Sequence, residues 1–158
     1  MKYKLVAFWL IVFGALFAFL QMCFEYHFYY IEQSQLFLFS EAYIRNKLLL
    51  PGGFSMLVAE FLVQFFIRPY VGALVTAALL TGVGVCTAGI VKRIAPVSGL
   101  FILYVLPMLA LLFMHFDFNY RVQGTVCYLM MMALLCGYMR IRNDLFRLVA
   151  GCVLVPVL

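Results

Sequence analysis

LVAFWLIVFGALFAFLQMCF, residues 5–24, runs for twenty residues without a charge, and YVGALVTAALLTGVGVCTAGIV, residues 70–91, does so for twenty-two. A helix rises about 1.5 Å per residue, so either run covers the ~30 Å hydrocarbon core of a bilayer. The first follows Lys2 and Lys4, and the second ends at Lys92-Arg93. Residues 97–116 and 122–139 are of the same kind, separated by the polar turn Asp117-Phe118-Asn119-Tyr120-Arg121. After Arg140, Arg142 and Arg147 comes residues 148–158, an apolar run of half a crossing, which reads as the start of a fifth span in a fragment. The pattern predicts an all-α, polytopic transmembrane helical bundle with interfacial amphipathic helices, one transmembrane domain over 1–158.

Composition leads to the same place. Of 158 residues, 68% are hydrophobic and 11% charged, with mean hydropathy +1.11; soluble domains are about half apolar and about a quarter charged. Such a chain has too little polar surface to cover itself in water, and lipid removes the need. The net charge of +5 does not point to nucleic acid, because the bases stand in small groups between apolar runs and read as topology signals. Five scattered cysteines (Cys23, Cys86, Cys127, Cys136, Cys152) show neither CxxC nor Cys/His ligand spacing, which speaks against a disulfide framework or a zinc site. Residues 5–24 lack the small-residue exit of a signal peptide, so they are expected to remain as a helix.

Within residues 70–91, Ala73, Ala77, Thr81, Gly84 and Ala88 recur every three or four positions, a close-packing face for another helix. Pro69 fits the first helical position of that run. Pro107 is expected to kink the 97–116 helix.

Residues 54–67 are the ambiguous piece: helical in pattern, only fourteen residues long, and carrying Glu60 and Gln64. The excess of Lys and Arg on cytoplasmic loops arbitrates. If this piece does not cross, Lys2, Lys4, Lys92, Arg93, Arg140, Arg142 and Arg147 share the cytoplasmic side, seven of the eleven bases. Arg45, Lys47, Arg68 and Arg121 then lie outside with five of the six acids, Glu25, Glu32, Glu41, Glu60 and Asp117. A crossing would reverse the bias, so the N-terminus is expected in the cytoplasm and the 54–67 helix in the outer interface or re-entrant from it.

Residues 25–68 then form an outer, interfacial segment dense in Tyr and Phe, rings suited to headgroup depth. Glu41 and Arg45 stand at i,i+4, a modest surface pair. Glu60, Gln64 and Arg68 stand at i, i+4 and i+8 as a polar stripe on an apolar rod. A carboxylate near hydrocarbon costs several kcal/mol unless paired or hydrated, so Glu60 is either a headgroup-level anchor linked to Arg68 or part of a site. The candidate catalytic residues are Glu32, Glu25 and His27; the candidate binding residues are Gln33, Gln35, Glu60, Gln64, Arg68, Asp117 and Arg121. His115 and Asp117 fall at the same expected face, where with the acids they could hold a divalent metal.

The run from Tyr26 to Leu38, Pro51-Gly52-Gly53, the stretch from Glu60 to Phe66, and Gly72-Ala73 resemble an uncharacterised family of polytopic membrane proteins of Bacteroidota, over most of the chain. The resemblance implies a bacterial inner membrane and, in longer members, further spans and a C-terminal soluble part. More weakly, the order of first span, outer loop with an early acid, interfacial helices and second span is similar to the C-type (GT-C) membrane glycosyltransferases. Those enzymes take a sugar from a polyprenyl-phosphate donor with a loop carboxylate as base or metal ligand. That similarity would put Glu32 or Glu25 in the acid's place, although no paired acidic motif follows the first span here. Three functional classes follow: such an enzyme, part of a transporter, or a non-catalytic membrane scaffold. Transport is disfavoured by the lack of charged residues inside the long runs.

Overall fold

The structure is a computed structural model that describes residues 2–94 and 101–141, and every regular element among them is helical. In chain order these are α1 (Lys2–Ser34), α2 (Glu41–Leu48), α3 (Gly53–Val63) continued by a 3-10 turn (Gln64–Ile67), α4 (Val71–Ile94), α5 (Phe101–Met114) and α6 (Val122–Tyr138). Two helical stretches among the described residues, Tyr3–Ser34 and Val71–Ile94, are long and apolar enough to cross a membrane; α5 and α6, at 14 and 17 residues, are shorter. Residues 148–158, expected to begin a fifth span, lie outside the described residues together with Arg142 and Arg147.

α4 is the hub, packed on α1, α5 and α6. Its small-residue face makes this possible. A Cβ on Gly84 would stand 2.6 Å from Trp9 Cζ3, and one on Gly72 2.6 Å from the Phe28 ring, so only glycine admits these side chains. Trp9 near the start of α1 meets the second half of α4, and Phe28 near its end meets the start of α4. The two helices are therefore antiparallel. Met108 approaches Gly84, and Tyr104 clusters with Ala88 and Trp9, so α5 also opposes α4. Gly82 faces Leu129 and Gly89 faces Cys136, which sets α6 parallel to α4. α5 runs on through Pro107.

α1 extends past the expected span. Its backbone leaves helical geometry at Phe24 (φ −128°, ψ 17°), the last residue of the apolar run, and then resumes to Ser34. Residues 25–34 are thus a bent continuation of α1 rather than the start of a surface segment. The reason is burial: Phe28 and Ile31 are nearly fully enclosed in the main core, and no Gly or Pro interrupts the stretch.

α3 does not simply lie on a surface either. Ala59, Val63 and Phe66 are almost completely buried in a cluster with Ile31, Val122 and Val126, wedging α3 and its 3-10 turn against α6, α1 and α4. Because α1 ends where α4 begins, the excursion over residues 35–70 leaves and returns at one end of the bundle.

α4 begins at Val71, two residues after Pro69. Arg68 is extended (φ −84°, ψ 134°), as a residue before proline prefers. Tyr70 takes a left-handed conformation (φ 69°), which costs a side-chain-bearing residue about 1–2 kcal/mol. Together they turn the chain sharply into α4.

This topology sorts charge. Lys2, Lys4, Lys92, Arg93 and Arg140 stand at one end, where α1 starts and α4 and α6 finish, with no acid among the described residues there. Glu25, Glu32, Glu41, Glu60 and Asp117 stand at the other, with Arg45, Lys47, Arg68 and Arg121. Below, these are the basic end and the acidic end.

Candidate functional site

The acidic end is built around a helical hairpin. Ser40 caps α2, its Oγ accepting from Tyr43 N at 3.2 Å. Gly52 (φ 70°) and Gly53 then reverse the chain; a Cβ on Gly53 would overlap the Lys47 carbonyl at 1.9 Å. The reversal sets Tyr43 and Lys47, one turn apart on α2, against Met56 and Glu60, one turn apart on α3. Lys47 Nζ lies 2.6 Å from Glu60 Oε1 and 3.1 Å from Met56 Sδ. Tyr43 donates its hydroxyl to Glu60 Oε2 and also contacts the Leu36 carbonyl at 3.2 Å. Burial, the hydrogen bond to Glu60 and the charge of Glu60 push the Tyr43 phenol up to about 12.

Glu60 is therefore paired with Lys47, not with Arg68 as its stripe implied. The stripe assumes α-helical rotation throughout, whereas the 3-10 turn from Gln64 winds more tightly and swings Arg68 away. Gln64 Nε2 donates instead to the Phe37 carbonyl at 3.0 Å, tying the 35–39 segment down. Glu41 and Arg45 form no ion pair within 4.0 Å; among the described residues, Lys47–Glu60 is the salt bridge.

A second locus lies where the α4 turn meets α1. Gln21, Glu25, Tyr29, Phe66, Arg68 and Tyr70 share a crevice of about 10 Å³, room for roughly one water. Glu25 is exposed there and makes no ion pair among the described residues. Glu32 is half-buried two turns beyond it, Gln33 exposed and Gln35 half-buried at the helix end, where Gln35 N bonds the Glu32 carbonyl at 3.3 Å.

His27 and His115 make a third locus at the bend of α1. The His27 ring stands edge-on to Phe118 at 4.8 Å and to Phe24 at 5.9 Å. His115 Nδ1 bonds the Leu111 carbonyl at 2.8 Å, beside Tyr120 at 5.0 Å. Both imidazoles are buried, and both nitrogens of His27 and Nε2 of His115 lack a hydrogen-bond partner among the described residues. Asp117 Oδ1 accepts from Asn119 N at 2.9 Å, so that carboxylate shapes the α5–α6 turn, and Arg121 stands exposed just before α6. No three His, Cys, Asp or Glu side chains among the described residues converge as a metal site.

The structure thus gathers Glu25 with Arg68, keeps Glu60 in a separate polar knot, and sets His27 with the α5–α6 turn. Sequence reading overlooked Tyr43 and Lys47. The signal was the Pro51-Gly52-Gly53 break, which folds two i,i+4 pairs onto each other.

No curated protein and no solved structure matches the chain. One family model does match, over residues 1–158, and the chain belongs to that family of unknown function, DUF6057.

Proposed function

We propose that this chain is a polytopic protein of the bacterial inner membrane, with its N-terminus in the cytoplasm, working at its acidic, outer end. Segregation of charge carries the reading: five cations and no acid among the described residues at one end, five acids and four cations at the other. Basic residues gather on the cytoplasmic side of membrane proteins. Exposure supports the membrane itself. The most apolar 18-residue window of α1 has mean hydropathy 2.3, yet only 17% of it is buried, against 44% in α4. A soluble core helix that apolar would be enclosed; Leu10, Ile11, Leu106 and Phe113 instead face outward.

At the outer end the favoured activity is transfer from a polyprenyl-phosphate-linked sugar. Glu25, exposed and in no ion pair among the described residues, lines the same one-water crevice as Arg68, a cation suited to phosphate, so a donor would meet both groups at the surface above the crevice rather than inside it. Glu32 is the alternative base, two turns along the same face of α1. Glu25→Gln and Glu32→Gln variants, assayed for sugar transfer in proteoliposomes loaded with such a donor, test this. Loss of transfer in one variant with unchanged membrane abundance is expected. Equal polyprenyl-phosphate release from wild-type and empty vesicles would refute the enzyme.

One observation favours a second reading, a non-catalytic scaffold. Glu60, the acid that forms an ion pair among the described residues, is consumed in holding α2 to α3. A scaffold tolerates both substitutions and keeps its partner on purification.

A further inference from the structure

α1, α4 and α6 enclose an open groove of about 940 Å³ toward the basic end. Its walls are apolar, including Trp9, Phe13, Val85 and Cys136, and two cations, Lys92 and Arg140, line it. Those cations face no carboxylate among the described residues, whose five acids all belong to the opposite end. Lys92 stands 5.7 Å from the Tyr104 ring centroid, a cation–π contact that leaves its charge in place. The volume is within the usual range for ligand sites, about 300–1,000 Å³.

An apolar trough carrying two cations that meet no carboxylate among the described residues complements one kind of molecule, an amphiphile with an anionic head. Basic sites between helices at the cytoplasmic side take anionic lipid headgroups in this way. We propose that the groove binds an anionic phospholipid of the inner leaflet, its acyl chains along α1, α4 and α6 and its phosphate at Lys92 and Arg140. The proposal rests on the membrane reading above and is independent of any catalysis at the acidic end.

The test is native mass spectrometry of the full chain in detergent, titrated with phosphatidylglycerol or with phosphatidylethanolamine. Phosphatidylglycerol should bind preferentially. Lys92→Gln and Arg140→Gln should each weaken it about five-fold. Arg93→Gln, at the same helix end but outside the groove lining, should leave it unchanged. Val85→Trp, which fills the trough without touching charge, should also weaken binding, and equal unfolding midpoints without lipid would show that each variant folds. Equal binding of the two lipids, or an Arg93→Gln loss as large as that of Lys92→Gln, would overturn the proposal. So would a crosslink from residue 85 to residues 148–158 with no lipid retained, which would give the groove to the chain itself. Release of the protein from membranes by alkaline carbonate would instead refute the membrane reading.

Discussion

Lys47 Nζ lies 2.6 Å from Glu60 Oε1 across the Pro51-Gly52-Gly53 reversal, while Tyr43 holds the other carboxylate oxygen. The Glu60 side chain is 12% exposed and that of Lys47 23%, so the pair is screened from water more than a surface bridge. Removing one partner strands a half-buried charge. Glu60→Ala should therefore cost about 2–3 kcal/mol in chemical unfolding. Lys47→Met combined with Glu60→Gln should recover part of that loss, because neither charge is then left alone. A double-variant loss equal to the sum of the losses from Lys47→Met and Glu60→Gln alone would show that the two side chains are not coupled.

The same carboxylate governs the Tyr43 phenol, raised to about 12 by burial, the hydrogen bond to Glu60 and its charge. A folded-state value above the unfolded one gives stability that is fully present below about pH 10 and lost as pH rises through about 12. The difference in ultraviolet phenolate titration between wild type and Tyr43→Phe should show Tyr43 ionising late, and Glu60→Gln should bring it down. A Tyr43 absorbance change centred near pH 10 in the wild type would contradict the arrangement.

How much of this was readable depends on the length scale of each signal. α4 was legible because its small residues recur at helical spacing and nothing else in the chain competes with them. α1 was read ten residues short, since hydropathy ends at Phe24 while the helix is prolonged by burial of Phe28 and Ile31, a tertiary effect. Glu60 was recognised as unusual, but its partner was assigned along one helix when the turn chemistry supplies it from another. Arg68 and Pro69 failed for a local reason: the 3-10 turn and the left-handed Tyr70 break the rotation that the stripe assumed.

Gly84 offers a direct probe of the hub, because the protein has a single tryptophan and it sits on that glycine. Gly84→Ala puts a methyl group 2.6 Å from Trp9 Cζ3 and 2.7 Å from Cη2, so the buried indole must shift. Overpacking of this kind costs about 1–3 kcal/mol. The variant should unfold earlier and shift Trp9 emission to longer wavelength. Gly14→Ala, with nothing within 4 Å, should change neither. Identical emission from wild type and Gly84→Ala would remove the α1–α4 contact.

Beside Phe24, Phe28 and Phe118, His27 keeps two buried ring nitrogens that meet no hydrogen-bond partner among the described residues. An unpaired buried polar group costs about 1–3 kcal/mol, so exchange for an apolar side chain of similar size should stabilise the fold. His27→Leu is expected to raise the unfolding free energy by about 1 kcal/mol. A drop instead would mean that the imidazole holds a ligand, and the activity assay of the same variant would then locate it.

The charge segregation makes orientation testable without knowing any substrate. α1 and α5 run one way and α4 and α6 the other, so Ser40 and Arg93 stand at opposite ends of the bundle. Both are exposed, so a cysteine at either would be reachable from its own compartment. In a background lacking the native cysteines, a membrane-impermeant maleimide added to intact cells should label Ser40→Cys, while Arg93→Cys should react only after the membrane is opened. Lys2 and Lys4 stand in the first turn of α1 and would oppose entry of that end into the outer compartment, which ties the label pattern to a physical cause. Replacing Lys92 and Arg93 by glutamine should weaken that bias, since orientation responds to the difference in basic charge between the two sides. Labelling of Arg93→Cys in intact cells, with Ser40→Cys protected, would invert the bundle and place the acidic end in the cytoplasm.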